Sequence, residues 1–167
     1  MKFKFDPGNE YDSPGSTLDE GVHLLRVKSC ATTKSKTGNP MLDIVLVAAD
    51  KSTSNAGREM RAWYMLVETD AAKWYLRRFC HALDERMRET GSGFDALSQA
   101  SCDEWITGKY VACRIYHEDD EYQGKTYKRP RLAKKDVRAL TAEESQLMRE
   151  QHGEGDSDSF DEDEIPF

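Results

Sequence analysis

The chain has 167 residues, of which 38% are apolar, 33% charged and 10% aromatic; this suits one ordinary domain with room for a tail and excludes disorder throughout. No apolar run approaches the roughly 20 residues of a membrane span, and the opening MKFKFDPGNEYDSPG lacks the apolar core of a signal peptide, so a cytoplasmic protein without a membrane partner is expected. The formal charge of −7 does not exclude a nucleic-acid partner: residues 151–167 hold seven acids and no Lys or Arg, which leaves 24 basic and 24 acidic residues in a neutral body.

Residues 1–20, rich in Gly, Pro, Asp and Ser, read as an irregular N-terminal arm whose Phe3, Phe5 and Tyr11 can pack it down. A β-strand is expected from about Gly21 to Ala31, followed by a turn at Gly38-Asn39-Pro40. MLDIVLVAAD carries apolar residues on both faces and reads as a central, well-covered strand. KSTSNAGRE is a polar hairpin loop, and MRAWYMLVE a third strand. The period then changes. Ala72, Leu76, Phe79, Leu83 and Met87 make one apolar stripe on a helix that Thr69 or Asp70 caps and that Gly91 and Gly93 end. Ser101 and Glu104 stand at capping-box spacing and predict a short helical turn. The β period returns in GKYVACRIYHE, where Val111, Cys113 and Ile115 alternate with more polar residues. DDEYQG reads as a turn and KTYKRPRL as the returning strand of a hairpin. Thr141 and Glu144 predict a last short helix over 141–152, and nothing beyond Gly153 favours order.

The fold class expected is therefore mainly β with one or two helices: an OB-fold-like five-stranded barrel over residues 21–140, the short helix, and a disordered acidic tail over 153–167. The helix stripe from Leu76 to Met87 is equally suited to sealing a barrel end or to a homodimer contact.

Single-stranded nucleic acid needs rings that stack on bases and cations that follow phosphates. The late hairpin offers both, with Tyr110, Arg114 and Tyr116 on one strand and Lys125, Tyr127, Arg129 and Arg131 on the other. On the third strand, Met60, Ala62, Tyr64 and Leu66 facing a core would turn Arg61 and Trp63 outward; the opposite phase would expose Tyr64. Lys34 and Lys36 lie on the loop between the first two strands, which flanks the oligonucleotide groove of an OB-fold. Each feature has a plainer explanation as a solvated face or ordinary packing.

Enzyme chemistry finds little support: there is no G-x-S-x-G, no phosphate-binding Gly loop and no H-x-E with C-x-x-C. No cofactor or metal is expected. HEDDE, His117 to Glu121, holds enough carboxylates for Mg²⁺ but falls where a solvated turn is predicted. Cys80-His81 would need His23 or His117 to bind zinc; the four separated cysteines read instead as small buried thiols.

The ending DEDEIPF resembles the acidic C-terminal tip of bacterial and phage single-stranded DNA-binding proteins, which close on Asp/Glu followed by Ile-Pro-Phe. More loosely, TKSKTGNPMLDIVL, AAKWYLRRFCHAL and GKYVACRIYHEDDEYQGKTYKRPRL resemble phage-encoded members of that class. The departures are a longer mid-chain helix and a shorter linker, so assembly state and residue-level DNA contacts do not carry over.

The resemblance implies a non-enzymatic protein of DNA replication, recombination and repair, in the host cytoplasm if phage-encoded. It would coat single-stranded DNA without sequence preference. Asp161, Glu162, Asp163, Glu164, Ile165, Pro166 and Phe167 would dock a polymerase, helicase, primase or nuclease. The rival expectations are a DNA-mimicking adaptor, and a Mg²⁺-dependent nuclease or annealing factor.

Overall fold

A computed structural model describes residues 17–88 and 93–153. Among them the chain forms one five-stranded antiparallel sheet and three α-helices. The strands are β1 (Gly21–Lys34), β2 (Pro40–Ala48), β3 (Glu59–Met65), β4 (Tyr110–Tyr122) and β5 (Lys125–Leu132), in the spatial order β3-β2-β1-β4-β5. The helices are α1 (Asp70–Leu83), α2 (Gln99–Trp105) and α3 (Ala142–His152). None is long and apolar enough to cross a membrane.

β1 organises the sheet. Its first half pairs with β4, from Gly21↔Ile115 to Arg26↔Tyr110, and its second half pairs with β2 out to Lys34↔Pro40. The ladder slips between Val27 and Ser29. An extra residue there bends the strand and increases its twist, so one strand serves two differently oriented partners. This explains why β1 runs three residues beyond Ala31. β2 lies beside it rather than at the centre of the sheet. Leu42, Ile44 and Leu46 are fully buried, while Met41, Val45 and Val47 on the other face are half-covered.

Val27, Leu42, Ile44, Tyr64, Phe79, Val111 and Ile115 share the main core. The expected helix is shorter than its apolar stripe. α1 begins at the Thr69 cap and stops at Leu83, because Asp84 turns extended; a short 3-10 turn, Glu85–Arg88, then brings Met87 back to the core. The Asp84 carboxylate accepts from Arg86 and Lys109, and these two cations hold it well below the usual range. Gly91 lies outside the described residues, so this ending precedes both glycines named as stops. α2 is capped by Ser98 rather than Ser101, which donates its backbone N–H to the Ser98 hydroxyl inside the first turn.

The last helix follows its predicted capping box. Thr141 Oγ1 accepts from Glu144 N, and the Glu144 carboxylate accepts in return from Thr141 N. α3 lays Met148 on Leu24, Ala49 and Ala112 as a second, smaller core. Arg138 also donates to Glu144, at 2.8 and 3.0 Å, and lowers its carboxyl from 4.5 to about 2. A depressed carboxyl stabilises the fold above its unfolded value and loses that contribution as pH falls towards the folded one. The Glu144→Gln variant should therefore unfold about 1 kcal/mol more easily in urea at pH 6, the order of a lost cap, with the difference closing between pH 4.5 and 2. A difference constant over that range would remove the carboxylate from the account.

All four cysteines are free and buried, as small apolar side chains. Burial pushes the Cys80 and Cys113 thiols up to about 12. Among the described residues no group of three or more His, Cys, Asp or Glu is arranged to hold a metal. The arm through residue 16, with Phe3, Phe5 and Tyr11, and the acidic segment 154–167 lie outside the described residues. Leu18, at the arm's end, is fully buried.

Candidate nucleic-acid interface

The phase of β3 decides which of its rings faces out. Met60, Ala62 and Tyr64 are buried, and Arg61 and Trp63 are exposed. Trp63 stands opposite Asp43, which stands opposite Ala31; Arg61 stands opposite Val45, and Met65 opposite Met41. Directly opposed residues share a face, so Trp63, 36% exposed, lies on an outer β-surface beside the Arg61–Asp43 ion pair, with Ala31, Met41, Val45 and Met65 around it.

The hairpin is longer and tighter than expected. DDEY belongs to β4, and the turn is only Gln123-Gly124, with φ of 54° and 79°. Positive φ at both residues is what a two-residue hairpin turn of type I′ requires, and glycine takes it without strain. Tyr116↔Arg131, Glu118↔Arg129, Asp120↔Tyr127 and Tyr122↔Lys125 therefore share one face as a two-strand stripe. Tyr122, exposed near the tip, was missed by the sequence reading, although it has the same parity as Tyr116.

These two regions meet. The outer strands β3 and β5 approach each other, and a cleft of about 930 Å³ lies between them, lined by Arg61, Trp63, Arg114, Tyr116 and Arg131 among others. Five of the predicted residues, from two distant stretches of sequence, thus face one space. Tyr75 of α1 adds a third ring, and Lys134 and Lys135 add two cations that the sequence reading had not singled out. Their positions depend on how the chain leaves β5, which no local periodicity encodes.

Lys134 fastens the cleft. Its amine donates to the Trp63 carbonyl and sits 4.5 Å from the centre of the Tyr64 ring. Burial lowers its pKa, since desolvation disfavours the charged form. Lys135 is exposed and makes no ion pair among the described residues.

No protein-family model matches the chain, and no curated protein matches it.

The arginines do not stand free as the sequence pattern suggests. Arg61 pairs with Asp43 at 3.1 Å, Arg114 with Asp136 at 3.0 Å, and Arg131 with Glu118 and Arg129 with Asp120 at 2.7 Å each. Glu118, Asp119 and Asp120 of HEDDE are the hairpin's internal counter-ions. Asp119 pairs with Lys128 on the face opposite Asp120, at 2.7 Å, which divides the carboxylates between two sides of the hairpin. Solvent-exposed pairs of this kind are worth about 0–1 kcal/mol, so a phosphate can displace a carboxylate at small cost. Within the cleft lining, Arg61, Arg114, Arg131, Lys134 and Lys135 outnumber Glu118 and Asp136.

The remaining predicted residues are spread out. Lys36 is exposed on the β1–β2 loop, whereas Lys34, expected on that loop, is the exposed last residue of β1, opposite Pro40; neither makes an ion pair among the described residues. Lys125, Tyr127 and Arg129 continue the hairpin stripe outward from the cleft. Tyr110 belongs elsewhere. It shares parity with Arg114 and Tyr116, but it packs with Leu140, Leu147 and Met148 under α3, its ring 6.1 Å from that of His152. Ala112, next on the same strand parity, is fully buried beneath the same helix. The face is one strand surface, covered at one end by α3 and open at the other. The predicted partner-docking residues Asp161 to Phe167 lie outside the described residues.

Proposed function

We propose that this protein binds single-stranded DNA without strong sequence preference, on a barrel of OB type, in DNA replication, recombination and repair. The observation that carries the reading is the cleft that gathers Trp63, Tyr116 and Tyr75 with Arg61, Arg114, Arg131 and Lys135. Rings there can stack on bases of any identity, while the arginines exchange carboxylate partners for phosphates. The strand order supports the barrel: joining β3 to β5 would close β1-β2-β3-β5-β4, and Lys134, two residues beyond β5, donates to the Trp63 carbonyl of β3. The choice of DNA over RNA, a phage origin and a docking role for the tip rest on the resemblance of DEDEIPF. In that role the acids steer the segment to a basic rim, and Ile165 and Phe167 anchor it.

Titration of the intact chain with oligo-dT should quench tryptophan fluorescence, with an affinity that falls steeply as salt rises. The Ile165→Ala/Phe167→Ala variant should bind oligo-dT within twofold of the parent yet lose retention of the polymerase, helicase, primase or nuclease it recruits. Equal affinity for duplex and single strand would refute the binding function. A tip variant that retains those partners would refute the docking role.

A further inference from the structure

α1 places two rings side by side. Trp74 and Tyr75 meet edge to face, centroids 5.2 Å apart at 78°. Tyr75 lines the cleft described above, and Trp74 lines a second, smaller pocket of about 320 Å³ on the other side of that ring pair. The second pocket follows the helix through Arg77, Arg78 and His81 and is closed by Arg138, just beyond the chain segment that borders the cleft. The spacing 74, 77, 78, 81 is one face of a helix.

The chemistry of this pocket is one-sided. Among the described residues no carboxylate lines it, whereas Glu118 and Asp136 line the cleft. Arg77 and Arg78 are exposed and make no ion pair among the described residues, in contrast to the paired arginines of the cleft. Arg78 instead lies over the Trp74 ring, 5.5 Å from its centre. Trp74 is 46% exposed, more than Trp63. An exposed indole on a helix contributes nothing to the core. An arginine stacked on it presents a flat cationic platform, which suits a base and its phosphate.

We propose that this pocket is a second binding site for the same single-stranded DNA, which leaves the cleft across the Tyr75–Trp74 ring pair and follows α1 towards His81. The proposal rests on the function proposed above and extends it. The cleft takes the first nucleotides, with its arginines exchanging partners. The helix face takes the following ones, where Arg77 and Arg78 neutralise phosphates with no counter-ion to displace. From Trp74 to His81 the path is about 10 Å.

The test compares short and long strands on the intact chain. Labelled dT6 stands near the short end of the roughly 4–16 nucleotides one OB-fold accommodates, and dT20 exceeds it. Arg77→Glu/Arg78→Glu should leave dT6 affinity within twofold while weakening dT20 about tenfold at low salt. The slope of log affinity against log salt for dT20 should become shallower by about 1.4, at ~0.7 per phosphate contact. With 5-iodouracil along dT20, photocrosslinking should recover the peptide carrying Trp74.

Equal affinity of parent and variant for dT20 would overturn the proposal, as would crosslinks confined to Trp63 and Tyr116. So would equal weakening of both oligonucleotides, the result expected if these arginines hold the chain's own acidic segment and the variant releases it into the cleft. A parent chain that binds neither oligonucleotide would instead refute the underlying binding function.

Discussion

Replacing Trp63 and Tyr116 together by alanine should weaken oligo-dT binding by about thirtyfold or more. The two rings come from the edge strand β3 and from β4, three places away in the sheet, and face one cleft. Each base stacked on an aromatic side chain is worth about 1–3 kcal/mol, so losing two removes at least about 2 kcal/mol. Both side chains stand on outer faces, so the thermal midpoint should hardly move. Tyr110→Ala is the informative control. Sequence parity groups Tyr110 with Tyr116, whereas the fold sets it under α3. Its loss should cost stability and leave DNA affinity unchanged. Fluorescence anisotropy with labelled oligo-dT decides the matter: a loss below threefold for the double variant would remove the rings from the binding surface, and a large loss for Tyr110→Ala would relocate it.

Phe79→Ala should cost about 3–5 kcal/mol, the range for deleting a buried phenyl ring. Phe79 is fully buried and stacks on Tyr64 at 4.8 Å, which joins α1 to β3. The opposite face of that joint matters as much, because Lys134 sits over the same Tyr64 ring while holding the Trp63 carbonyl. The helix, the third strand and the chain after β5 are thus fastened at one aromatic ring. Measured against a typical total of 5–15 kcal/mol, the loss should lower the melting temperature on the order of 10 °C. Trp74→Ala, on the exposed face of the same helix, should stay within about 0.5 kcal/mol of the parent. Calorimetry on both variants checks this. A Phe79→Ala cost below 1 kcal/mol would show that α1 is held to the sheet by other contacts.

The sequence carried the parts of the fold that depend on short-range chemistry. The alternation around Trp63 and the capping box at Thr141 follow from side-chain period or local hydrogen bonding and stand in the structure, and the helical stripe that begins at Ala72 holds as far as Leu83. Ends were misjudged where one residue decides. Asp84 stops α1, and Gln123-Gly124 alone makes a turn that the run of acids before it suggested was longer. Of the candidate site, the residue types were legible and the electrostatics were not. Arg114, Arg129 and Arg131 look like free phosphate ligands in one dimension. Diagonal contacts across the hairpin pair Arg131 with Glu118 and Arg129 with Asp120, and the turn after β5 brings Asp136 to Arg114. Tyr110 was misplaced for a related reason: strand parity states which face a residue takes, but not whether a later helix covers it.

The double duty of β1 has a consequence for how the chain is made. Its first half waits for β4, and Gly21 and its partner Ile115 lie 94 positions apart. At about 5–20 residues per second, ribosomal synthesis leaves that strand's open edge unpaired for about 5–20 s, while β2 and β3 are already able to pair on the other side. An unpaired edge is the part of a sheet that recruits other chains. Gly21, Arg26 and Lys28 on and beside this stretch give that edge charge and conformational freedom while it is unpaired.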